Sequence, residues 1–179
     1  LDTLTIRGEV AHEFITHYYP NVLEAMRERW ISPQMVTTNR VDAPGYAEVR
    51  EMARRVNRIL GIGTSATHME WFFGPKGLRF SEIGCRPPGV GQWDVYNAAN
   101  EFDLYFEWAS AVVHGSAHRR PSRRYAAGMI ALRPERDAFW ELDVRPADKC
   151  GGAILANSAL LFRTCAAAQW RTPERLPVD

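Results

Sequence analysis

The sequence predicts an α+β domain, an antiparallel β-sheet with helices packed on one face, and three observations point to it. Two turn signals, Arg7-Gly8 and Gly74-Pro75-Lys76-Gly77, each separate runs that read as strands. Between them, from about Pro44 to Leu60, apolar residues return at spacings of three and four, the period of a helix with one buried face. Of the 179 residues 46% are apolar and 24% charged, a globular balance in a chain long enough to bury its own core.

In chain order, Thr3–Ile6 and Glu9–Thr16 form the first hairpin, with Gly8 in its turn. Asn21 to Trp30 is a short helix following Pro20, with Asn21 as its N-cap, and Met35–Val41 is a short strand or an extended loop. In the helix from Pro44 to Leu60, Val49, Met52, Ala53, Val56, Ile59 and Leu60 make the apolar face, and Gly61 ends it. Thr67–Phe73 and Leu78–Gly84 are strands, and Cys85 to Gly91 is a loop that Pro and Gly hold out of regular structure. Asp94–Asn100 is a short helix; Asp103 caps another that runs to His114 and stops at Gly115. Tyr125–Leu132 is a strand, and Ser158–Trp170 is expected to be a helix. A first domain over 1–132 and an extension over 133–179 follow from this division.

Composition excludes several classes. The net charge of +1 gives no basic field for nucleic acid, and no apolar run is long enough to span a bilayer. Cys85, Cys150 and Cys165 are too scattered for a disulfide framework or a zinc ribbon, so a reducing, cytoplasmic setting is expected. Lysine occurs only at positions 76 and 149.

The chemistry concentrates in Thr67-His68-Met69-Glu70-Trp71-Phe72-Phe73 and Phe80-Ser81-Glu82-Ile83-Gly84-Cys85-Arg86. Side chains alternate along a strand, so Glu70 shares a face with His68, and Glu82 with Gly84. A three-residue loop, Pro75-Lys76-Gly77, sets Glu70 opposite Glu82; a two-residue loop sends them to opposite faces. Opposed like charges among Trp and Phe require a cation, which is either Arg86 or a divalent metal, since hard oxygens beside phosphate suit Mg²⁺. The bland alternative has one glutamate in solvent and the other paired with an arginine. His68 either supports Glu70 by a hydrogen bond or simply packs. Cys85 is expected to be a small buried residue, and Trp71, Phe73, Trp93 and Trp108 to belong to the core. His17 is expected on a strand surface.

The succession His-Met-Glu-Trp-Phe, a Gly-Pro-Lys-Gly turn and Ser-Glu-Ile-Gly-Cys-Arg-Pro-Pro-Gly resembles the larger, C-terminal lobe of the ATP-grasp fold, over roughly Leu1 to Leu132. The likeness is greatest to carboxylate–amine ligases whose final strand reads Glu-x-Gly-x-Arg-Pro; biotin carboxylase belongs to the same superfamily. The resemblance implies ATP and Mg²⁺ (or Mn²⁺) as cofactors, with Glu70 and Glu82 as metal and nucleotide carboxylates. It implies Arg86 as the catalytic cation at the γ-phosphate and the acyl-phosphate intermediate. It places Pro88, Gly89 and Gln92, with His68, near the acceptor substrate. Where many members carry an amide ligand two residues after the second glutamate, this chain has Gly84, so water or a backbone oxygen would take that place.

The implied reaction is ligation of a small-molecule carboxylate to an amine or similar nucleophile. The lobe with the phosphate lysines and the adenine pocket would precede Leu1, so the chain is expected to be a fragment that binds ATP weakly and turns nothing over. The alternative is a non-catalytic nucleotide- or metabolite-binding module that keeps the fold. A metal-dependent hydrolase would need a base that the sequence does not offer. Nothing in the sequence sets an oligomeric state.

Overall fold

A computed structural model describes residues 1–28, 30–89 and 91–131, and the backbone of 153–156 and 159–165. Along the chain these form β1 (Asp2–Ile6), β2 (Glu9–Phe14), β3 (Thr16–Tyr19), α1 (Val22–Arg27), β4 (Gln34–Thr37), a 3₁₀ turn (Pro44–Tyr46), α2 (Ala47–Ile59), β5 (Ser65–Gly74), β6 (Gly77–Gly84), α3 (Gln92–Asn100), α4 (Leu104–His114), β7 (Tyr125–Ala131), β8 (Ala153–Ala156) and β9 (Ala159–Cys165). The strands make two antiparallel sheets, one in the order β2-β1-β5-β6 and the other β3-β4-β7-β9-β8. The α+β class read from the sequence is the class observed.

The run expected as one strand from Glu9 to Thr16 divides at Ile15, where the chain leaves the first sheet and enters the second. Ile15 is buried, and its carbonyl accepts from the Thr38 amide (3.0 Å) and the Thr37 hydroxyl (3.2 Å) of the second sheet. The crossing therefore leaves no buried backbone acceptor without a donor.

Helices cover both faces of the first sheet. On one face α2 packs Ala53, with Val49 and Val56 beside it, onto Leu1, Ile15 and Met69. On the other, α3 and α4 bring Trp93, Tyr96, Leu104 and Ala111 onto Leu4, Phe14 and Ala66. The opposite flank of α3 lays Val95 and Ala99 against Met35, Ala127 and Met129 of the second sheet. A helix buried on several sides must be apolar or internally satisfied all round. Accordingly Trp93, Val95, Tyr96 and Ala99 are buried, and the buried Gln92 and Asn100 amides are hydrogen-bonded. Its N-cap, Gly91, has φ +73°, and a Cβ there would meet Asp94 Oδ2 at 3.3 Å.

Two caps follow the sequence closely. Asn21 accepts from the Glu24 amide, and Asp103 from those of Tyr105 and Phe106. One element does not. Residues 159–165, expected within a helix, form the strand β9, antiparallel to β7. Ala159, Leu160, Leu161 and Arg163 favour a helix by themselves, and tertiary context overrides that preference: the open edge of β7 supplies ladder partners that a helix would forgo. The remainder of 133–179 lies outside the described residues.

Candidate functional site

Glu70 and Glu82 stand directly opposite each other across β5 and β6. The route to this register is not the three-residue loop. Gly74 pairs with Gly77, so the loop is the two-residue Pro75-Lys76, which alone would have put the carboxylates on opposite faces. A bulge corrects it: Trp71 pairs with Phe80 while Glu70 pairs with Glu82, leaving Ser81 as the extra residue. Gly77 takes the left-handed conformation at φ +76° that the tight turn demands.

Around Glu70 the chain assembles a buried polar network. Asp2 is 2% exposed, and its register partner in β5 is His68. His68 Nδ1 lies 2.6 Å from Asp2 Oδ1, and its Nε2 lies 3.0 Å from Glu70 Oε1. Carboxylates only accept, so both ring nitrogens must carry hydrogen and the ring is an imidazolium. The hydrogen bond to Asp2, reinforced by that to Glu70, pushes the His68 pKa up to about 9. The bond from His68 in turn holds the Glu70 carboxyl below its ordinary value. Tyr18, on β3 of the second sheet, donates its hydroxyl to Glu70 Oε1 at 3.0 Å. Burial, and then the Glu70 charge, push that phenol far up, so it stays a donor.

The far side of Asp2 is closed by α3. The Tyr96 hydroxyl and the Gln92 amide both donate to Asp2 Oδ2, the amide at 2.9 Å. Gln92 also reaches the Thr16 hydroxyl at 3.2 Å. With 3% exposure and its amide spent in this way, Gln92 supports Asp2 and is not open to a substrate as the sequence had suggested.

Glu70 lines a cleft of about 510 Å³ where β3, the start of α2 and the end of β5 meet. Its walls include Thr16, His17, Tyr18, Tyr46 and Trp71. His17 is not a plain surface residue: its Nε2 meets the Tyr46 hydroxyl at 2.8 Å, and burial lowers its pKa. Glu82 is exposed and lies outside that lining, as do Arg86, Pro88 and Gly89. The Arg86 guanidinium donates to the Pro87 carbonyl at 2.9 Å. Its stem crosses Gly84, the register partner of His68, where an added Cβ would meet Arg86 Cγ and Nε at 3.3 Å. Cys85 is exposed, its thiol 3.1 Å from the Ser65 hydroxyl, and is not the buried residue expected. Phe73, expected in the core, is 82% exposed on the hairpin. Among the described residues no group of three or more His, Cys, Asp or Glu side chains could hold a metal ion, and no helix is long and apolar enough to cross a membrane.

The sequence singled out Glu70, Glu82 and His68; it did not single out Asp2, Tyr18 and Tyr96, which the structure joins to the same network. One signal was present for Asp2: it shares a strand face with Leu4, so a charge was being sent inward. For Tyr18 and Tyr96 there was none, since their partners lie 52 and 94 residues away.

No protein-family model matches the chain, and no curated protein matches it in sequence. Among solved structures, an L-amino acid ligase from Bacillus licheniformis superposes with a TM-score of 0.61 and 16% identity, over 93% of this chain and 48% of that one. The fold is shared with part of an amino acid ligase. At that identity the likeness speaks for the fold alone, and the chain spans about half of the ligase it matches.

Proposed function

We propose that the chain carries the cation-holding part of an ATP- and Mg²⁺-dependent ligase that joins a small-molecule carboxylate, of the amino acid class, to an amine or similar nucleophile. The observation that carries this reading is Glu70 set opposite Glu82 at the edge of a cleft, in a fold shared with an L-amino acid ligase.

The donor set suits a hard cation that keeps several waters. Two carboxylates and phosphate oxygens are the usual ligands of Mg²⁺, which rarely has an all-protein cage. Both hydrogen bonds to Glu70 described above fall on Oε1, leaving Oε2 for a further partner. Glu70 and Glu82 would hold the cation, which when bound neutralises phosphate charge as the γ-phosphoryl group transfers. The protein's part is placement. The Arg86 guanidinium, a planar fork of donors two residues past Gly84, suits phosphate or acyl-phosphate oxygens, with Pro88 and Gly89 bordering the acceptor. The substrate carboxylate would attack the γ-phosphorus as the bridge to the β-phosphate breaks and ADP leaves, giving an acyl phosphate; the amine would then attack the acyl carbon, expelling phosphate and losing a proton to form the amide.

Thermal unfolding tests the reading. The midpoint is expected to rise with a non-hydrolysable ATP analogue plus Mg²⁺, and not with either alone. Glu70→Gln is expected to abolish the rise and Cys85→Ala to preserve it. An equal rise in EDTA, or an undiminished rise in Glu70→Gln, overturns the metal role. Gly84, which brings no third ligand side chain, favours a second reading, a nucleotide-binding module without turnover. Phosphate release that requires the amino acids, above that with ATP and Mg²⁺ alone, separates the two when read on a protein that also carries the phosphate-binding lobe, because ligation couples ATP cleavage to the acceptor.

A further inference from the structure

Asp2 faces neither the cleft nor solvent, yet it gathers three donors: the His68 imidazole, the Gln92 amide and the Tyr96 hydroxyl. A buried carboxylate so surrounded is costly unless its partners are held in place. Here two of the three come from α3, the helix wedged between the sheets. Asp2 is therefore a firmly seated charge near the cleft; its direct link to Glu70 is the His68 ring, and a longer one runs by way of Gln92, which lies 3.5 Å from the Tyr18 hydroxyl.

We propose that Asp2 and His68 are positioning residues for a divalent cation at Glu70. Asp2, seated by Gln92 and Tyr96, sets the plane of the imidazole; the imidazole's Nε2–H then fixes the Glu70 carboxylate. This rests on the reading of Glu70 as a cation ligand. The geometry bears it out in two respects. His68 spends one nitrogen on each carboxylate, at 2.6 and 3.0 Å, so turning the ring breaks both contacts. Tyr18 approaches the same oxygen, Oε1, from the other sheet at 3.0 Å, so the carboxylate is held from two elements through one oxygen. A ligand oxygen fixed in advance binds a cation with less ordering to be done at the moment of binding.

The two nitrogens allow the role to be separated from a merely structural one. His68→Gln places an amide N–H near the position of Nε2 and can still reach Glu70. His68→Asn places its amide near Nδ1 and can satisfy only Asp2. The experiment titrates Mn²⁺ into the 179-residue chain with a non-hydrolysable ATP analogue, reading free Mn²⁺ by electron paramagnetic resonance, with a thermal melt of each variant alongside. The expectation is that His68→Asn weakens Mn²⁺ binding by about 10- to 100-fold. His68→Gln is expected to stay within a few-fold of the unsubstituted chain, and both to melt cooperatively. Unchanged binding in His68→Asn, or rescue by Asn and not by Gln, overturns the proposal and leaves His68 as a partner of Asp2 alone. Should His68→Asn fail to fold, Asp2→Asn carries the test: weakened Mn²⁺ binding in a folded protein supports the proposal, and unchanged binding overturns it. If the unsubstituted chain takes up no Mn²⁺, or Glu70→Gln retains it, the ligase reading itself falls and the proposal with it.

Discussion

The face of the first sheet that meets α2 and the face that meets α3 both bury polar side chains, but of different kinds. Against α2 lie neutral groups: the Thr3 and Thr67 hydroxyls are 2.6 Å apart, and the Asn57 amide donates to Thr3 at 3.1 Å. The charged side chains on that side lie at the helix flank, where Glu13 meets Arg50 and Arg54. Against α3 lie Asp2, His68 and Glu70, a carboxylate, an imidazolium and a second carboxylate in a row that ends at the cleft. The neutral strip satisfies itself and leads nowhere. Buried ion pairs are weak devices for stability alone, and the charged strip is the one that the proposed cation site draws on.

The largest expected difference between the faces is the cost of removing one member. Asp2→Ala strands an imidazolium, a phenol and an amide, and is expected to cost about 3–5 kcal/mol. Thr3→Val, its neighbour on the neutral face, leaves only uncharged groups unpaired and should cost about 1–3 kcal/mol. Urea unfolding of both variants measures this, and equal costs would erase the distinction.

The next effect is on pH dependence. The His68 pKa is raised from 6.5 to about 9 in the folded protein, so the folded state binds the proton more tightly than the unfolded one. The stability it contributes is present in full below pH 6.5 and is lost as pH rises through about 9. Unfolding in EDTA should show the unsubstituted chain losing stability across that window relative to His68→Gln. The hydroxyls of the opposite face do not titrate there, so Thr3→Val should keep the full slope. A slope shared by His68→Gln would mean that the ring is not the source.

The smallest effect lies where the charged strip meets β6. A Cβ in Gly84→Ala would meet the flexible stem of Arg86 at 3.3 Å, which can move by a few tenths of an ångström. Stability should change by no more than about 0.5 kcal/mol. A loss several times larger would show that the Arg86 stem is locked over the strand.

Much of this architecture was legible in the residues. Asn21 and Asp103 announced their helices because an N-cap acts within three residues of itself. The Pro44–Leu60 periodicity located α2 because one face had to be apolar. Glu70 and Glu82 were singled out through the strand motifs, and whether they pair was left to a loop length that the sequence did not fix. The loop has two residues, the length that alone would part the carboxylates, and the Ser81 bulge brings them opposite each other. A bulge has no reliable local signature, since it answers to what the neighbouring strand and the packing require. The strand at 159–165 was missed for a related reason: its partner, β7, ends 28 residues earlier.

By itself, then, the sequence determined the local pieces: caps, turns, the amphipathic helix, and which acidic residues share a strand motif. These follow from interactions between residues a few positions apart, where backbone geometry leaves few choices. Only the tertiary structure decided that Asp2 lies behind His68, that Tyr18 reaches Glu70 from another sheet, and that α3 closes the network. Those contacts span 52 to 94 residues, and they exist because two sheets and a helix bury a common surface. No period along the chain encodes that burial.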